Sequence, residues 1–148
     1  MNIRTFLLAW FAVAASLLAI GCASSPARYA GTMADKRISY NVSITVAGGE
    51  RHVTVDSQQP PSVSLHVEGI DRDGYGRFSA AGAGERIRSL DEYTDGTIVY
   101  TLQGTQGDIS YRIKSFTDLA EKECIELAQR LLERAVAEVL TPAHLVPG

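Results

Sequence analysis

From Arg37 to Val46 the chain alternates without a break, with apolar Ile38, Tyr40, Val42, Ile44 and Val46 set against polar Ser39, Asn41, Ser43 and Thr45. Side chains of an extended strand point to opposite faces in turn, so this run predicts a strand with one face buried and the other in water. Ala47-Gly48-Gly49-Glu50 supplies residues that accept positive φ, and predicts a turn into a second strand over Arg51 to Asp56 with Val53 and Val55 inward. Pro60-Pro61 closes that hairpin, because neither residue can donate to a ladder. The alternation returns in Val63, Leu65 and Val67, a third strand from about Ser62 to Gly69. Asp71-Arg72-Asp73-Gly74 reads as a turn into a shorter segment around Tyr75 to Ser79, and Ala80 to Gly84 as a mobile loop leading to Ile87 and Leu90. Thr97 to Gln103 and Asp108 to Phe116 alternate again, and Gly104-Thr105-Gln106-Gly107 between them predicts a second hairpin.

The period changes after Phe116. From Thr117 or Asp118 to Leu140 the apolar residues Ala120, Cys124, Ile125, Leu127, Ala128, Leu131, Leu132, Ala135, Val136 and Val139 fall on one broad helical arc, with Lys122, Glu126, Gln129, Arg130 and Glu133 opposite. Asp118 and Glu121 suit a helix start, and Thr141-Pro142 a stop. Strands with one wet face need a single cover for the other, and one amphipathic helix provides it. The predicted class is α+β: an antiparallel sheet of about five to six strands with one long C-terminal helix packed on one face.

Ahead of this domain, Thr5 to Ile20 is uncharged, rich in Leu, Ala and Phe, and preceded by Arg4. That is the layout of a secretory signal segment, and it is shorter than the ~20 residues that cross a bilayer comfortably. Leu18-Ala19-Ile20-Gly21-Cys22 follows directly. These residues resemble the lipobox of bacterial lipoproteins, in which small residues before a Cys admit the chain to signal peptidase II and the thiol receives a diacylglyceryl group. The commonest lipobox has Leu three residues before the Cys; here Ala19 stands there and Leu18 one further back. The resemblance covers the first 22 residues only, and it implies cleavage between Gly21 and Cys22 with acylation of Cys22. Two or more acyl chains, the usual number in that family, hold a protein to a bilayer essentially permanently. Ala23, not Asp, follows the Cys; by the enterobacterial rule this implies the outer membrane, with the domain facing the periplasm.

The expected organisation is a signal peptide over 1–21, the lipidated Cys22 with a flexible tether over 22–36, and one periplasmic domain over 37–148. The tether reading rests on ASSPARYAGTMAD, small and polar and broken by Pro26 and Gly31. Cys124 is the only other cysteine. With Cys22 blocked by lipid it has no disulfide partner, and its place in the amphipathic helix predicts a buried, inert thiol.

Charge narrows the partners. The chain carries 14 basic and 17 acidic residues, with no basic cluster, which argues against a nucleic-acid binder. Asp71-Arg72-Asp73-Gly74-Tyr75-Gly76 has the alternating carboxylates of a calcium loop, but Gly82 stands where the closing Glu is needed, so a plain turn is expected. His52 and His66 share the polar parity of their strands and would approach each other if the strands pair, yet two ligands do not make a zinc site; His144 lies in the tail. Ala80 to Gly84 lacks the spacing and the Lys-Ser/Thr pair of a phosphate loop. No nucleophile elbow or HExxH motif occurs.

No cofactor, metal or catalytic residue is therefore assigned. The expected role is a non-enzymatic accessory lipoprotein, held to the membrane through acyl chains on Cys22 and docking onto a protein partner in the bacterial envelope. Gly82, Gly84, Arg86 and Arg88 are the expected contact residues. The alternative is a periplasmic inhibitor or immunity lipoprotein that blocks a secreted hydrolase with that same stretch.

Overall fold

The computed structural model describes residues 26–57 and 64–140. The signal segment, the lipobox with Gly21 and Cys22, the Pro60-Pro61 stretch and the tail with His144 lie outside the described residues.

Seven strands and one helix follow in order: β1 Ala27–Asp35, β2 Ile38–Ala47, β3 Glu50–Ser57, β4 Ser64–Asp71, β5 Gly84–Glu92, β6 Ile98–Gln106, β7 Ile109–Ser115 and α1 Glu121–Val139. All strands join one antiparallel sheet in the order β1-β2-β3-β4-β7-β6-β5. The single departure from neighbour-to-neighbour order is at the centre, where β4 pairs with β7. The α+β class, the antiparallel sheet and its C-terminal helical cover are as the alternation predicts.

Two corrections concern the ends of the sheet, which has seven strands where five to six were expected. The segment read as a free tether is largely β1, paired with β2 over nine positions from Ala27↔Val46 to Asp35↔Ile38. Its alternation is masked in the sequence because one inward position is a glycine: Tyr29, Gly31 and Met33 share the helix side, and a Cβ on Gly31 would stand 3.2 Å from Val139. Helix and strand approach closely there, so that a Cβ would make Val139 give by a few tenths of an ångström. The second correction is β5. Gly84–Glu92, to which the sequence assigns no strand beyond a loop over Ala80 to Gly84, is a full edge strand against β6. All nine of its residues are exposed, so it carries no buried stripe for a periodicity reading to detect. Conversely, Tyr75 to Ser79 forms no strand, and its one buried side chain is Phe78.

Inward residues of β2, β3, β4, β6 and β7 meet Cys124, Ala128, Leu131, Leu132, Ala135, Val136 and Val139 of α1 in one core. The helix packs mainly on β1, β2, β3, β4 and β7, and β6 joins the core through Leu102. The helix starts at Glu121, three or four residues later than the sequence suggests. Glu123 accepts the Ala120 amide at 2.8 Å, so it closes the first turn from inside the helix. Thr117 has meanwhile given its amide to Ser115 at 3.0 Å in a separate turn. Cys124 is fully buried, as expected, and burial pushes its thiol up against the weaker opposing pull of Arg86. Among the described residues no helix is long and apolar enough to cross a membrane.

Polar ties bind the helix to the sheet margins. Arg130 and Arg134 each donate to a different oxygen of Asp35 at 2.8 Å, clamping the end of β1 to α1. The hydrogen bond from Arg130, with the charges of both arginines, holds the Asp35 carboxyl below its usual range against the opposing effect of burial. On the far margin Arg88 grips Asp118 with two bonds, of 2.8 and 2.6 Å, and Arg86 donates to the Leu119 carbonyl at 2.9 Å.

Candidate functional site

Among the described residues α1 covers one side only, and the other side of the sheet is a continuous, mostly polar surface. The ladder registers line up one rung across every strand: Thr32, Asn41, Asp56, His66, Arg112, Gln103 and Ile87, from β1 to β5. Ser, Thr and Asn dominate the β1-β2 end, and charge gathers at the centre. A depression of about 360 Å³ opens there, lined by His66, Glu68, Glu85, Ile87, Gln103 and Arg112 among others.

His66 organises this centre. Its Nδ1 hydrogen-bonds the Asp56 carboxylate directly across the β3-β4 ladder, and its Nε2 meets Glu68 at 2.6 Å, two residues along its own strand. Carboxylates at both nitrogens favour the doubly protonated, charged imidazole. Desolvation pulls the His66 pKa down, but the hydrogen bonds and charges of Glu68 and Asp56 together outweigh it and hold it above the ordinary value of 6.5. Arg112 stands opposite on β7 as the nearest like charge across the ladder. With both nitrogens occupied, His66 has no lone pair with which to act as a base toward a substrate. The cluster is therefore suited to holding a fixed pattern of charge, not to moving protons.

That arrangement has a pH signature. A histidine whose folded pKa is raised contributes stability that is fully present below 6.5 and is lost as pH climbs through the raised value. Wild type should melt above His66→Gln at about pH 5.5, and the gap should close by about pH 9. Thermal denaturation of the two proteins across that range checks it; an advantage that grew with pH would contradict the charged His66.

His52 lies on the same open face but does not approach His66, since the ladder pairs it with Ile70 while His66 pairs with Asp56. It rests 3.4 Å from Glu50 instead. Among the described residues no three His, Cys, Asp or Glu side chains converge as a metal site.

The turn after β4 is organised from within. Asp71 is fully buried and accepts the Gly74 amide at 3.1 Å and the Gly76 amide at 2.8 Å, with Arg51 3.7 Å away. Gly74 and Gly76 both take positive φ, which glycine adopts without strain. A carboxylate saturated by its own loop has a structural task, and turn composition alone gave no sign of its burial.

The expected contact residues divide by parity. Gly84, Arg86 and Arg88 pair with Gln106, Gly104 and Leu102, which puts them on the helix side, away from the open face. Arg88 also lies over the Tyr100 ring at 5.4 Å. Gly82, with φ +112, offers its carbonyl to the Gln106 side chain. Gly104 is required by its neighbour: a Cβ there would lie 2.6 Å from the Tyr111 hydroxyl and 2.7 Å from the Glu85 carbonyl. The residues of β5 that reach the open depression are Glu85 and Ile87.

A second concavity, of about 400 Å³, lies at the other end of the core, where the start of α1 leaves the sheet. Tyr40, Leu65, Ile113, Leu119 and Leu127 line it, with Lys36, Lys114, Glu123 and Arg130 around them. Its basic and acidic groups are mixed, and Arg130 is already committed to Asp35.

The chain matches no protein-family model, no curated protein and no solved structure.

Proposed function

We propose that the protein is a lipid-anchored, non-enzymatic docking module of the bacterial envelope, and that the open face of its sheet is the contact surface. The observation that carries this reading is the uncovered polar face spanning seven strands, with a charged centre at His66, Asp56, Glu68 and Arg112. A face of this kind recognises a partner through many spaced hydrogen bonds and charges, as interface rims do, and it offers no activated nucleophile or free base. The lipobox resemblance at Leu18 to Cys22 supports anchoring. Because β1 begins at Ala27, five positions after Cys22, the spacer reaches at most about 17 Å, and the domain rides close to the lipid surface. Confinement to that thin layer raises its effective concentration for membrane-bound partners.

Anchoring and docking are read separately. In cells fed labelled palmitate, the wild-type chain should take up label and pellet with membranes, and Cys22→Ser should do neither; equal labelling would remove the anchor. A photocrosslinker at Gln103 on the open face should capture one envelope protein, and the same group at exposed Glu126 on the outer side of α1 should not. Equal capture from both positions, or from neither, would overturn the docking face.

A further inference from the structure

We propose that the protein forms a two-fold dimer in which β5 pairs antiparallel with β5 of a second copy, centred on Ser89, so that two seven-stranded sheets become one. β5 ends the sheet. It pairs with β6 on one side, and among the described residues nothing pairs with its other side.

The direction of its free backbone groups follows from the turn beyond it. The Tyr93 amide donates to Thr97 at 2.8 Å and the Tyr93 carbonyl accepts from Gly96 at 2.9 Å, so the backbone groups of Tyr93 point toward β6. The β5-β6 register continues unbroken from Glu92↔Ile98 to Gly84↔Gln106. Alternation then aims the N–H and C=O groups of Arg86, Arg88, Leu90 and Glu92 outward.

An edge that must stay single is normally blunted by proline, a bulge or an outward lysine. β5 has no proline, bulge or lysine, and its five charged residues are of both signs, so they bar a like-charged edge but not a complementary one. Its arginines are drawn back over the helix side by Asp118 and the Leu119 carbonyl, while Ile87 is 66% and Leu90 46% exposed.

Charge selects the occupant and the register. Symmetric pairing centred on Arg88 would set Arg88 against itself and Glu85 against Asp91. Centring on Ile87 would set Arg86 against Arg88. Centring on Leu90 shortens the ladder and sets Arg88 of each copy against Glu92 of the other, in competition with Asp118. Centred on Ser89, the ladder runs from Glu85 to Tyr93, places Arg86 opposite Glu92 twice and opposes no like charges; it leaves the Arg88–Asp118 ion pair alone and asks Arg86 to share only with the neutral Leu119 carbonyl. Opposite charges facing across a ladder stabilise it and like charges weaken it. The strand is thus complementary to its own antiparallel copy. The pairing uses one edge of each molecule and closes on itself. Its axis stands perpendicular to the sheet, so both helices lie on one side and both open faces on the other.

The test uses the full-length protein in membranes under mild oxidation. Ser89 would meet its symmetry mate in a non-hydrogen-bonded pair, where Cα atoms lie ~4.5 Å apart, within disulfide reach. Ser89→Cys should therefore crosslink to a dimer about tenfold faster than Leu90→Cys, which in this register faces Arg88, and the wild-type chain with Cys22 and Cys124 should give no dimer band. Ser89 is exposed, so the substitution leaves the core intact. In detergent, Glu92→Arg should raise the dimer dissociation constant about tenfold by opposing Arg86, and the double change with Arg86→Glu should restore it. A Ser89→Cys chain that stays monomeric, crosslinking no faster than at Leu90, or a ladder of species beyond the dimer would overturn the proposal. None of these results depends on palmitate uptake at Cys22 or on capture from Gln103, so the dimer and the docking reading stand or fall apart.

Discussion

Replacing Leu131 with Asp should abolish the folded state. Leu131 is fully buried at the middle of α1, in the core shared by the helix and the inward residues of the central strands. Loss of a buried leucine costs about 2–5 kcal/mol by itself, through lost transfer energy and the cavity left behind. A carboxylate in its place has no cationic partner in that apolar setting and adds several kcal/mol more. A domain of this size has a total stability of about 5–15 kcal/mol, so the sum reaches or exceeds what is available. The variant should lose its near-ultraviolet circular dichroism and its cooperative melting transition, while Glu126→Gln on the exposed side of the same helix should melt within about 1–2 °C of wild type. A Leu131→Asp protein with an unchanged melting temperature would mean that α1 does not supply the core.

The second large effect is expected at Asp71, a buried carboxylate invisible to any hydrophobicity argument. Asp71→Ala removes the acceptor of the Gly74 and Gly76 amides and leaves Arg51 facing an empty site. Stranding buried or partly buried donors costs about 1–3 kcal/mol each, and partial access of water to the turn reduces the sum. A loss of about 3 kcal/mol follows, or roughly 10 °C in melting temperature for a domain of this length. Asp71→Asn keeps one carbonyl oxygen but turns the other acceptor into a donor, so it should recover only part of the loss. Hydrogen exchange gives the local readout: the Gly74 and Gly76 amides should exchange faster in both variants, and protection equal to wild type would show that Asp71 does not hold the turn.

The two locations differ in how plainly the sequence exposed them. Leu131 belongs to a stripe repeating at the helical period, and its burial follows from that spacing. Asp71 sits in a polar stretch that reads as a surface turn. Its burial arises because the alternation of β4 continues one step past Gly69 and puts residue 71 on the helix side opposite Arg51. The trio at His66 behaves similarly. Its polar parity is legible, but Asp56 as a partner is a fact of register, since only the β3-β4 ladder puts the two residues opposite. His52 and His66 stay apart for the same reason.

What the amino-acid order determined by itself was the α+β class, the inward face of the well-alternating strands, the helix that covers them and the burial of Cys124. Each is written in a local period, because alternation at two residues or recurrence near 3.6 is enforced by backbone geometry within a few residues. Tertiary structure alone decided that Ala27–Asp35 and Gly84–Glu92 are strands, that β4 lies beside β7, and that one polar rung runs from Thr32 to Ile87. Edge strands have one neighbour and little to bury, so their conformation is imposed by the ladder beside them. That ladder joins residues remote in sequence, and no short window of the chain records which partner will be there.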